Sequence, residues 1–209
     1  MFDTINFSLF TFASWILIIT PGPDLIYVIT RGISLGRKAG IISALGVTVG
    51  ILFHTLFAAF GLSIILRTSS LAFMGVKFIG AIYLVYLGVK AIHDKNSINL
   101  NKHTIDQNWQ TLFLQGVLSN VLNPKVALFF LAFLPQFVSS EVGNITIQII
   151  TLGIIFAIFG VVFLLIVGYF SGSIGIFLSG KKSIINKIRW LTGSILILLG
   201  LRIAFIEQK

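Results

Sequence analysis

Residues 7–29 read Phe-Ser-Leu-Phe-Thr-Phe-Ala-Ser-Trp-Ile-Leu-Ile-Ile-Thr-Pro-Gly-Pro-Asp-Leu-Ile-Tyr-Val-Ile, an apolar run with a single charge, Asp24. A membrane-spanning helix needs about 20 such residues, whereas a barrel strand alternates polar and apolar side chains over about ten. The run is therefore a spanning helix, and Pro21-Gly22-Pro23 breaks it about two-thirds of the way along. Five further runs of the same kind cover about 39–66, 70–92, 112–137, 145–170 and 190–206. The expected fold is an all-α membrane protein of six transmembrane helices. The first run is expected to stay in the mature protein, because Asp3 and no basic residue precedes it and no small-residue cleavage pattern follows.

The composition agrees. Of 209 residues, 56% are hydrophobic and 10% charged, with a mean hydropathy of +1.03, against about a quarter charged in soluble domains. Six spans use roughly 120 residues, so the chain reads as one transmembrane domain, 1–209, with halves of about 1–92 and 110–209 joined by a polar, Asn-rich linker of about 93–109. With no Cys in the chain, thiolate metal sites and thiol redox chemistry are excluded. His93 and His103 sit in the linker without clustered carboxylates, a poor metal site, and no pattern points to a cofactor.

The formal charge of +9 has a topological meaning. Ten of the fifteen basic residues follow spans one, three and five: Arg31, Arg37, Lys38; Lys90, Lys95, Lys102; Lys181, Lys182, Lys187, Arg189. Cytoplasmic connections carry the excess of Lys and Arg, so both termini are expected outside, and nucleic acid is not needed to explain the charge. Tyr27, Trp109, Tyr169 and Trp190 fall near span ends, where amphipathic rings anchor at the bilayer interface.

Span three repeats in span six. Val76-Lys-Phe-Ile-Gly80 and Leu84-Val-Tyr-Leu-Gly-Val-Lys90 lie over Ile188-Arg-Trp-Leu-Thr192 and Leu196-Ile-Leu-Leu-Gly-Leu-Arg202 at a constant offset of 112, pairing Gly88 with Gly200. Spans one and four share an interruption by Pro followed directly by a charge, Pro23-Asp24 and Pro124-Lys125, at an offset of 101. Three spans per half invert the second copy in the membrane, which predicts a 3+3 inverted repeat with its binding site at the repeat interface, between the broken helices one and four.

Asp24 and Lys125 are the only charges well inside their spans, and each costs about 2.5–3.5 kcal/mol at such depth. One reading is a buried ion pair tying spans one and four together. The other is a pocket for a zwitterion, with Asp24 near its ammonium and Lys125 near its carboxylate. Burial favours a protonated carboxyl, which makes Asp24 a proton-coupling candidate, and His54, the intramembrane His, is a second. Asn120 stands one turn before the Asn123-Pro124 break. The candidate substrate-binding set is Pro21, Gly22, Pro23, Asp24, Asn120, Asn123, Pro124 and Lys125. Gly46 and Gly50 give span two a small-residue face for close helix packing, with a homodimer as one use of it.

Pro-Gly-Pro in span one, Gly36-Arg-Lys-Ala-Gly40, Tyr83-Leu-Val-Tyr-Leu-Gly88 and Asn123-Pro-Lys125 together resemble the LysE/RhtB-type bacterial amino-acid exporters, over residues 7 to 206. The resemblance implies an inner-membrane exporter of amino acids or related metabolites, driven by the proton gradient, with Pro21, Gly22, Pro23, Asn123, Pro124 and Lys125 at the family's motif positions. Many relatives carry Asn where this chain has Asp24. A passive channel or accessory membrane subunit is the alternative, which the matched broken helices disfavour. A membrane enzyme would need a nucleophile, a metal or paired carboxylates that the spans do not supply.

Overall fold

The computed structural model describes residues 4–62, 70–93, 108–139, 141, 143–178 and 182–205. The described residues are helical apart from short connections: α1 Thr4–Ile19, α2 Pro23–Leu35, α3 Arg37–Phe57 with a π-helical turn Ala58–Leu62, α4 Ser70–His93, α5 Trp109–Val121, α6 Pro124–Leu128 continuing through a π turn Phe129–Phe133 and a 3-10 turn Leu134–Phe137, α7 Ile145–Leu178, and α8 Lys182–Phe205. Among them, α3 through Gly61 and α7 through Ser171 are each long and apolar enough to cross a membrane. Two bent pairs reach that length jointly. They are 7–19 with 23–35, bent by 48°, and 109–121 with 124–137, bent by 45°. Both breaks fall where proline removes backbone donors, as expected.

The basic connections proved shorter than the sequence suggested. Arg31 lies within α2 and Arg37 begins α3, so only Gly36 separates the two helices, at a φ of +90°. A Cβ at Gly36 would meet no atom within 4 Å. The backbone angle alone therefore asks for glycine there. Likewise α8 begins at Lys182, so residues 182–189, read as a link, are helical. Hydropathy marks where a helix enters the bilayer, and a helix can continue past that point. Of the polar linker, residues 94–107, with His103, lie outside the described residues.

α4 and α8 pack antiparallel through reciprocal contacts. A Cβ on Gly88 would approach Gly193 O (2.6 Å) and Ile197 N (3.0 Å), and one on Gly200 would approach Ala81 O (2.7 Å) and Val85 N (3.1 Å). Adding 112 to 81, 85 and 88 gives 193, 197 and 200, so the sequence offset exchanges one set of contacts for the other.

The glycines of α3 are used inside the chain. Gly46 meets Phe113 O and Gly116, Gly50 meets the Asn120 side chain, and Gly40 meets Gly168. The small-residue face expected to serve close packing does so against α5 and α7, which removes its support for a dimer. Two apolar clusters flank the breaks. On one side Phe10, Phe129, Phe130, Phe133, Phe137 and Phe156 are buried, with ring centroids as close as 4.8 Å for Phe129 and Phe156. On the other, Val28, Ile29, Ala44, Val47, Leu164 and Val167 form a smaller aliphatic cluster.

Candidate functional site

Each break leaves carbonyls that a continuous helix would have satisfied. Leu17 O would have accepted from the amide of residue 21 and Asn120 O from that of residue 124, but both positions are proline and have no N–H. The fold supplies side chains from elsewhere. Lys125 Nζ donates to Leu17 O at 3.1 Å and to Thr20 O at 3.0 Å. His54 on α3 donates from Nε2 to Asn120 O at 3.0 Å, beside the Asn123 backbone N–H that reaches the same oxygen at 2.8 Å, and since a carbonyl only accepts, this contact puts the ring hydrogen on Nε2. His54 also stacks on Phe130, with centroids 5.9 Å apart.

Asp24 faces the other way across the same gap. Its Oδ2 accepts from Asn120 Nδ2 at 2.9 Å and from Asn123 Nδ2 at 2.7 Å. It also lies in the first turn of α2, where a negative charge opposes the positive end of the helix dipole. Asn123 caps the second broken helix as well, its Oδ1 accepting from the Lys125 backbone N–H at 3.0 Å.

The arrangement is a crossed brace. The charge that follows the break in one pair reaches to the end of the preceding half-helix in the other pair, the ammonium to carbonyls and the carboxylate to amides. Asp24 and Lys125 thus hydrogen-bond to separate partners rather than to each other, while still attracting one another as opposite charges. Gly22 belongs to this geometry, because a Cβ there would lie 2.9 Å from Lys125 Nζ and 3.3 Å from its Cε. Any larger residue between the two prolines would displace the ammonium.

All the residues singled out in the sequence, Pro21, Gly22, Pro23, Asp24, Asn120, Asn123, Pro124, Lys125 and His54, meet around these two breaks. Asp24, His54, Asn120, Asn123 and Lys125 are all buried. Beside them is a cavity of about 30 Å³, room for one or two ordered waters. Its polar lining consists of Asp24, Asn120 and Lys125, and the rest is apolar. Asp24 Oδ1 and Asn120 Oδ1 are buried and have no hydrogen-bond partner, and Lys125 has a third N–H beyond the two it uses. Among the described residues no group of His, Cys, Asp and Glu could hold a metal ion.

Sequence reasoning missed the cavity's apolar wall and a polar tie between α2 and α5. The Tyr27 hydroxyl donates to Leu112 O at 2.7 Å, and Arg31 donates to Gln115 Oε1 at 3.1 Å. An aromatic residue at a span end signals an interface anchor, and nothing in its spacing reveals which carbonyl it reaches.

Comparison with known proteins bears on what this site belongs to. The chain is 35% identical over 162 residues to the uncharacterized membrane protein YrhP of Bacillus subtilis (strain 168), covering 73% of this chain and 77% of the relative. It is 30% identical over 120 residues to an uncharacterized membrane protein of Vibrio cholerae serotype O1, covering 57% and 58%. To the leucine efflux protein of Enterobacter sp. (strain 638) it is 29% identical over 147 residues, covering 68% of each chain. No solved structure matches. The LysE type translocator family matches residues 15–206, and the chain belongs to that family of membrane transporters, which are not enzymes.

Proposed function

We propose that this protein is a secondary transporter that exports an amino acid or related small metabolite from the bacterial cytoplasm across the inner membrane by proton antiport. The observation that carries the proposal is the crossed brace between two proline-broken helices, with two unpartnered acceptors and a spare ammonium N–H beside one small cavity. A zwitterion matches that set, its ammonium donating to Asp24 Oδ1 and Asn120 Oδ1 and its carboxylate accepting from Lys125. The leucine efflux relative supports an amino acid as cargo. The room present holds water only, so loading requires the walls to separate, which is the movement alternating access demands.

Six spans in a 3+3 inverted repeat are the frame of this reading. The exchange of α4–α8 contacts under the sequence offset supports it, because two inverted copies related by an axis in the membrane plane produce such reciprocal pairs. The orientation, with both termini outside, is supported by the basic residues that gather with aromatic rings at one end: Arg31 over Tyr27 (5.1 Å), Arg37 over Tyr169 (4.8 Å) and Lys38 over Trp109 (4.7 Å). Asp24 is the proton-coupling candidate, linked through Asn120 to His54.

Everted vesicles carrying the protein test the proposal. They accumulate labelled amino acid in the presence of a proton gradient and lose that accumulation with an uncoupler. If no amino acid accumulates, the exporter reading fails; if accumulation ignores the uncoupler, proton antiport fails.

A further inference from the structure

The wall of the cavity narrows the substrate class. Apart from Asp24, Asn120 and Lys125, its lining side chains are apolar and include Leu25, Val47, Ile51, Val126, Phe156 and Leu164. They come from α2, α3, α6 and α7, so separating the broken helices leaves an apolar surface on each part that moves. The polar groups of the cavity match the two ends of one zwitterion and leave nothing to pair a further charge or hydroxyl.

We infer that this cavity binds α-amino acids with aliphatic side chains, the ammonium on Asp24 Oδ1 and Asn120 Oδ1 and the side chain against Val47, Ile51, Phe156 and Leu164, with Gly160 setting the size limit. This rests on the exporter reading and names the substrate of the same site. Gly160 lines the cavity, and a Cβ there would meet Ile51 Cδ1 at 2.9 Å. That atom is the mobile end of a side chain, so alanine is accommodated by a small rotation of Ile51. The methyl group then occupies space that a longer substrate needs. One methylene in an apolar pocket discriminates about 10- to 200-fold.

The test has two arms on the full-length protein. In the first, purified protein in detergent is heated with alanine, valine, leucine, serine, lysine or glutamate. In the second, proteoliposomes take up labelled leucine in competition with the same compounds. Leucine and valine are expected to stabilise the protein and to compete, with lysine and glutamate about a hundredfold weaker, as for a charge moved into an apolar site. Gly160→Ala is expected to lower the preference for leucine over alanine by about tenfold. Lysine or glutamate binding as well as leucine overturns the substrate class and leaves the exporter reading intact. An unchanged leucine-to-alanine ratio in the Gly160 variant, with binding retained, overturns the size limit. No stabilisation and no uptake with any amino acid removes the exporter reading and this inference with it.

Discussion

Lys125→Met separates a substrate-binding lysine from a lysine that only props a broken helix. The substitution orphans Leu17 O and Thr20 O, which accept from Nζ at 3.1 and 3.0 Å. A buried unsatisfied acceptor costs about 1–3 kcal/mol, so two cost about 2–6. Against this stands the ammonium that no longer has to be held at membrane depth, about 2.5–3.5 kcal/mol. The difference is a net destabilisation of about 1 kcal/mol, within a range of about −1.5 to +3.5, and the variant is expected to insert and fold. Transport has no such compensation. A hydrogen bond from a charged group to the substrate carboxylate is worth about 1.5–3 kcal/mol, which corresponds to about a 10- to 150-fold rise in the half-saturating concentration. The assay is initial uptake into everted vesicles against substrate concentration, beside size-exclusion and thermal unfolding of the purified variant. A half-saturating concentration within twofold of the parent would refute carboxylate binding by Lys125. The double variant Asp24→Asn with Lys125→Met adds a second check. Were the two groups an ion pair, removing both would spare the uncompensated charge left by either single change. Asp24 and Lys125 still attract one another as opposite charges, so the double variant is expected to be the more stable of the two, but with Lys125 itself holding the substrate carboxylate it is expected to transport no better than Lys125→Met, and better transport would refute substrate binding by Lys125.

Asp24→Asn keeps a side chain of the same shape beside Asn120 and Asn123, so the protein is expected to insert while gradient-driven accumulation in vesicles is lost; full activity would remove Asp24 from proton coupling. His54→Gln retains an N–H donor for Asn120 O and is expected to keep transport, whereas His54→Phe should lose about 1 kcal/mol of stability with the hydrogen bond. Equal loss of proton-driven transport in both, measured in vesicles, would show that the imidazole itself is required. Gly88→Ala and Gly200→Ala press a methyl group against backbone at 2.6 and 2.7 Å. Each is expected to destabilise the purified protein by about 1–3 kcal/mol, and a large effect at one site with none at the other would count against the reciprocal repeat. Ser97→Cys should be labelled by an impermeant thiol reagent in everted vesicles and not in intact cells, and the reverse pattern would invert the topology.

The parts of this site that were legible from the sequence are those in which one residue type forces a local event. Proline cannot donate a backbone N–H, so the breaks at Pro21-Gly22-Pro23 and Asn123-Pro124 could be located without coordinates, along with the need to satisfy the freed carbonyls. The charges beside the breaks were legible for a similar reason, since an Asp or Lys at that depth must be held by something. The partners that answer those needs are separated from them by 66 to 108 positions along the chain, and no periodicity encodes such distances. His54 shows the consequence. Its residue type makes it a proton relay candidate, and only the structure shows that it also adds a donor to Asn120 O beside the Asn123 N–H.

Gly22 was legible as a break and illegible as a space. Glycine has backbone freedom that other residues lack, yet here its backbone is extended, at φ −154° and ψ 178°, a conformation open to any residue. What requires glycine is the Lys125 ammonium, 2.9 Å from where a Cβ would stand. The absent side chain at one break therefore makes room for the charge that follows the other. The same logic applies to Gly50, where a Cβ would lie 2.5 Å from Asn120 Cβ and 2.8 Å from its Oδ1, so that α3 concedes space to the amide that holds Asp24. A pattern of small residues in the sequence had pointed to helix contact in general. The structure shows Gly50 of that pattern, together with Gly22 at the break, shaped around the polar groups of the cavity, which ties the packing of the bundle to the position of its buried charges.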